Sequence, residues 1–145
     1  MWHEAGGAMP AGRVLETVRR EIVDSGKDTR YKPGAYIFVL NGLEFLLTRM
    51  GEKRHVHGRE LSLSLLQFAE KQFGPMARKV LESWGIHKTD DFGYIVYNLI
   101  DIGLMSRRDE DSVEDFFDVE DFNQRFRQSE RIRADRRSVK HARFP

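Results

Sequence analysis

Apolar positions recur along this chain at helical spacing, in stretches separated by glycine, proline and short polar links. From Arg13 to Asp24, Val14, Leu15, Val18 and Ile22 share one face, and Ser25-Gly26 ends the run. Asp28 to Gly34 reads as a loop, with Pro33 in the first turn of the next helix. Ala35 to Met50 is apolar nearly all round, as expected of a helix buried at the centre of a domain. The polar link Gly51 to Gly58 leads to Arg59–Phe73, where Leu61, Leu65, Phe68, Ala69 and Phe73 line one face. Gly74-Pro75 breaks that helix, and Ala77, Val80, Leu81 and Trp84 form the stripe of another that ends at Gly85.

The next helix runs from Asp90 to Gly103. Thr89 is its expected N-cap, and Asp90 and Asp91 suit the positive end of its dipole. Phe92, Ile95, Val96, Leu99 and Ile100 bury one side, and Gly103 supplies a left-handed terminus. Leu104 to Arg108 and Ser112 to Phe117 then flank an acidic turn, as two strands flank the tip of a wing. A short helix carrying Phe122 and Phe126 closes the pattern. The fold expected is mainly α: a single helical domain ending in a winged-helix-like helix-turn-helix plus a two-stranded hairpin. Its bounds are residues 12–126, with 1–11 a flexible leader and 127–145 a basic, solvated tail.

At 145 residues and 40% apolar content, the chain fills one core and is too short for two ordinary domains. It has no cysteine, which excludes disulfides and thiolate chemistry and fits a reducing compartment. Residues 1–7 show neither a basic region nor an apolar one of signal-peptide type. The most apolar run, Ala35 to Leu47, is broken by Asn41 and Glu44 and falls short of the roughly 20 residues of a membrane span. A cytoplasmic protein with no membrane partner is expected.

A net charge of +1 conceals a strong polarisation. Residues 109–121 carry eight acids and no base, and residues 122–145 carry eight bases and two acids. A DNA-reading winged helix places basic or amide side chains on its second helix and in its wing. Here those positions carry Asp90, Asp91, Asp109, Glu110 and Asp111.

Several phrases resemble a small family of bacterial proteins with no assigned activity. They include Tyr31-Lys32-Pro33-Gly34-Ala35-Tyr36-Ile37-Phe38-Val39-Leu40, His55-Val56-His57-Gly58-Arg59-Glu60-Leu61 and Gln72-Phe73-Gly74-Pro75-Met76-Ala77. Trp84-Gly85-Ile86, the run from Thr89-Asp90-Asp91-Phe92-Gly93 to Gly103-Leu104, and Asp111-Ser112 with Glu114-Asp115-Phe116 complete the match. The likeness covers residues 10–126 and implies no chemistry. His57 stands where it leads one to expect a small polar residue, and the basic tail extends beyond it.

Candidate chemistry is sparse. His55 and His57 lie on one side of an extended segment, half of a metal site without a marked third ligand, and Lys53, Arg54 and Arg59 beside them repel cations. The same donors, placed just before a helix N-terminus, suit anion capture better. The acidic stretch lacks EF-hand spacing. No nucleophile elbow or phosphate-cradling glycine loop is present, and no cofactor is implied.

Two binding surfaces remain. Tyr94, Tyr97, Asn98 and Asp101 form the polar face of their helix and, with Asp109, Glu110 and Asp111, are the candidate dock for a protein partner. Arg125, Arg127, Arg131, Arg133, Arg136, Arg137, Lys140 and Arg143 are the candidate contacts to nucleic-acid phosphates, with help from Lys53, Arg54 and Arg59. The first reading makes the protein a non-catalytic interaction module. The second makes it a nucleic-acid-associated protein, and a third is an enzyme whose site no recognisable motif marks.

Overall fold

A computed structural model describes residues 3–4, 11–52 and 54–127. The protein is mainly helical. α1 (Ala11–Val18) passes into a π-helical segment, Arg19–Asp24, and a loop leads to α2 (Pro33–Met50). Then come α3 (Gly58–Phe73), a 3-10 turn at Gly74–Met76, α4 (Ala77–Ser83) and α5 (Thr89–Asp101). No helix among the described residues is long and apolar enough to cross a membrane.

α2 is the axis of the core. Its Ala35, Tyr36, Phe38, Val39, Leu40, Leu43 and Leu46 are buried, and α3 and α5 pack against it. The approach of α2 to α3 is close because Gly42 has no side chain. A Cβ there would stand 2.3 Å from the Leu65 Cδ2 atom. Gly85, at φ +96°, lets the turn after α4 press on the loop before α2, where a Cβ would meet the Arg30 carbonyl oxygen at 2.2 Å. The Lys32 N–H donates to the Trp84 carbonyl across the same junction, at 3.1 Å.

One sequence expectation gives way at the start of α5, although Asp90 and Asp91 do stand in its first turn. Thr89 is its first residue rather than its cap. The start of the helix is satisfied by Asp91, whose Oδ2 accepts from the His87 and Lys88 N–H groups at 2.8 and 3.2 Å. Thr89 instead accepts from the Val119 N–H at 3.1 Å, and Asp90 accepts from the Asp118 N–H at 3.1 Å. Both buried polar side chains hold a distant loop.

The wing is different as well. β2 (Met105–Ser106) pairs antiparallel with β1 (His3–Glu4), in the segment expected to be a flexible leader, and not with residues 112–117. Residues Val113–Phe116 form a 3-10 turn. The Asp115 carboxylate accepts from the Ser112 N–H at 3.1 Å, which closes the chain into a turn before a strand can start. Phe116 is then fully buried in a notch between Gly58 and Gly93, where a Cβ on either glycine would lie within 2.9 Å of its side chain. α6 (Phe122–Arg125) follows, with Phe122 and Phe126 buried against the core.

Candidate functional site

Helical spacing groups Tyr94, Tyr97, Asn98 and Asp101 on α5, and the structure shows what each meets. Tyr94 is half-buried: its ring packs on Phe117 at 5.8 Å, and the Arg30 guanidinium lies 4.5 Å from its centroid. Arg30 is fixed by Asp28, to which its Nε and terminal nitrogen donate at 3.1 and 2.8 Å. The Arg30 N–H also donates to Asp28, so an Asx turn aims the pair before any tertiary contact is made.

Asn98 faces inward. Its Nδ2 donates to Asp28 at 2.8 Å and to the Tyr36 hydroxyl at 3.0 Å, tying α5 to α2 and to the loop between α1 and α2. Burial works against the Asp28 charge, but the hydrogen bonds from Arg30 and Asn98 outweigh it and hold the carboxyl down at about 2. Burial pushes the Tyr36 hydroxyl up to about 12. Tyr31, also buried, donates to Asp91 and is pushed higher still, by burial first and that carboxylate second.

Tyr97 lies one turn along, half-buried, with the Arg107 guanidinium 5.8 Å from its ring centroid. Arg107 is itself held, because a terminal nitrogen donates to the Asp111 carbonyl at 2.7 Å. Asp101 is exposed and 3.0 Å from the Lys27 ammonium. α5 thus presents two tyrosines, each beside an arginine anchored elsewhere in the fold.

The acidic turn divides. Asp109 and Glu110 are exposed. Asp111 is only 3% exposed, accepts from the Arg108 N–H at 2.8 Å and lies 3.1 Å from His55 Nε2. It therefore faces away from any partner, and its carboxylate holds the turn to the link before α3. His57 goes to a different acid, Asp115, at 3.6 Å. The two histidines do not converge, and among the described residues no cluster of histidines and acids could hold a metal ion.

The basic candidates also separate. Arg54 pairs with Glu60 at 2.7 Å, and Arg59 and Arg127 are exposed. Arg125 is committed internally, to Glu70 at 2.6 Å and Glu120 at 3.0 Å. Lys53, Arg131, Arg133, Arg136, Arg137, Lys140 and Arg143 lie outside the described residues.

Helical spacing marks Tyr94, Tyr97, Asn98 and Asp101 as one face. It gives no sign of Arg30, Arg107 or Phe117, which reach that face from other elements. The only local signal was Asp28-x-Arg30, a spacing that favours an Asx turn. Comparisons of the chain with protein-family models, curated proteins and solved structures gave no match.

Proposed function

We propose that this protein is a non-catalytic interaction module of the cytoplasm, docking a protein partner on the outer face of α5. The observation that carries this reading is the pair of anchored arginine–tyrosine contacts, Arg30 on Tyr94 and Arg107 on Tyr97. Tyrosine and arginine provide most of the binding energy at many interfaces, and side chains held before binding lose little entropy on it. Asp28 and Asn98 hold the first pair and the Asp111 carbonyl holds the second, so both are ordered in advance. Exposed Asp101, Asp109 and Glu110 border this face and favour a basic or mixed partner segment.

The frame that presents it is winged-helix-like in one part: α4, the turn at Gly85 and α5, with β2 where a wing would begin. Asp109 and Glu110, exposed where a DNA-reading wing would carry basic side chains, favour protein rather than DNA as the occupant of that frame.

The test is capture from lysate by the full-length protein, followed by titration of the captured partner against variants. Tyr94→Ala with Tyr97→Ala is expected to weaken binding at least about tenfold. Asp101→Lys with Asp109→Lys leaves the core untouched and should slow association in a salt-dependent way. A partner that binds both double variants as well as the parent does not use this face.

A further inference from the structure

Along α2 and α3, cations and aromatic rings come together in one surface strip. At one end a groove of about 700 Å³ lies between the C-terminal half of α2 and the N-terminal half of α3, with Arg49 and Arg59 on it and Met50 and Leu63 among its apolar lining. The lining comes from α2, α3 and the link between them, and none of it from α5. Beyond Arg49 the strip continues onto Phe45, a half-buried ring 5.0 Å from the half-buried ring of Phe68. Two cations converge on Phe45, the Arg49 guanidinium at 5.4 Å from its centroid and the Lys71 ammonium at 5.3 Å.

The charge of the strip is positive and uncompensated. Arg49, Arg59 and Lys71 are exposed and make no ion pair among the described residues. Arg49 donates to Gln67 at 3.0 Å, a neutral amide that aims the guanidinium without cancelling its charge. The nearby acids are committed elsewhere: Glu52 and Glu60 both pair with Arg54, and Glu70 pairs with Arg125. Glu44 is exposed, but it lies about 100° around α2 from Phe45 and further still from Arg49.

We infer that this strip binds single-stranded nucleic acid, with phosphates on Arg59, Arg49 and Lys71 and a base on Phe45. Cations spaced along a groove beside half-exposed rings are the combination that holds a single strand without reading its sequence. A base stacked on an aromatic ring is bound more strongly than an exposed cation is. A base can therefore take the place of Arg49 or Lys71 on Phe45, and the displaced cation is free for the phosphate beside it. From Arg59 to Lys71 α3 rises roughly 18 Å, room for a few nucleotides. A duplex keeps its bases inside its own stack and has none to offer the ring. An acidic peptide matches the charge but brings no base. The strip is separate from the α5 face, so either assignment can fail without the other.

The experiment is titration of the full-length protein with decauridylate across a range of salt concentrations, with amide shifts of the labelled protein to place the contact. Saturable binding is expected, with shifts concentrated in residues 45–50 and 59–71. Phe45→Leu keeps the apolar bulk, removes the ring and should weaken binding at least about fivefold. Binding of a short duplex should be indifferent to that substitution. Arg49→Ala combined with Arg59→Ala and Lys71→Ala removes three exposed charges and should flatten the slope of log affinity against log salt by about 2. Unchanged affinity and slope in both variants would place any binding in residues 127–145 and overturn the proposal, as would no binding at all. An equal loss of duplex binding in Phe45→Leu would mean that no base stacks there, and decaglutamate giving the same shifts at equal or lower concentration would assign the strip to acidic peptides. Either result also overturns it.

Discussion

Asp28 carries its charge into an environment only 8% exposed, and does so because Arg30 and Asn98 together supply more than its lost hydration. Its carboxyl titrates at about 2 in the fold, against 3.8 ordinarily, so the ionised form favours the folded state. The contribution is complete above about pH 4 and is lost as pH falls through about 2. A depression of that size corresponds to about 2 kcal/mol. Asp28→Asn should therefore cost about 2 kcal/mol at neutral pH and flatten the decline in stability between pH 4 and pH 2. Urea unfolding of both proteins across that range reads the difference directly. Parallel pH profiles would show that the Arg30 clamp is electrostatically neutral. The same clamp positions the Arg30–Tyr94 contact, so the variant also tests whether that part of the α5 face is ordered in advance.

Gly93 sits in the middle of α5, where alanine would ordinarily stabilise the helix by about 1 kcal/mol. Here the Cβ would stand 2.9 Å from the Phe116 Cβ and 3.0 Å from its Cγ, atoms that cannot swing aside. Gly93→Ala is expected to destabilise by about 1–3 kcal/mol net, because the turn at Val113–Phe116 must move off α5. Hydrogen exchange should accelerate in residues 112–117 before the rest of the domain. A variant as stable as the parent would mean that the notch holds nothing. This contact also marks the limit of what the chain reveals by pattern. The stripes of α2, α3 and α5 were legible because helical periodicity is local and their apolar faces are continuous. The turn at Val113–Phe116 was not, because its short apolar and acidic alternation suits a strand equally well. Its choice depends on Gly58 and Gly93, both distant in sequence. A glycine inside an otherwise regular helical stripe was the available sign of close packing. The tyrosine face was legible for the same local reason as the stripes. The arginines that complete it were not, since they arrive from the loop before α2 and the segment after β2.

The arginine-rich run begins at Arg125, which packs inside the folded body together with Phe126. Phe126 is 1% exposed and meets Phe122 edge-to-face at 5.2 Å, while Arg125 joins α6 to α3 through Glu70. Ending the chain at Gln124 removes both and should cost about 3–5 kcal/mol, chiefly from the lost ring. That is a large share of the 5–15 kcal/mol typical of a whole domain. Ending it at Arg127 keeps every one of these contacts and should leave the melting curve close to that of the full chain. The distinction governs any test of nucleic-acid binding by the basic segment, a reading that rests on its charge alone. If Arg131, Arg133, Arg136, Arg137, Lys140 and Arg143 contact phosphates, full-length protein binds RNA or DNA with an affinity that falls steeply with salt. The chain ending at Arg127 then does not bind. Loss of binding on truncation at Gln124 would mean little, because an unfolding domain loses binding by any route. Binding that survives truncation at Arg127 would move the contact to the folded body, where Arg59 is the exposed cation to substitute first.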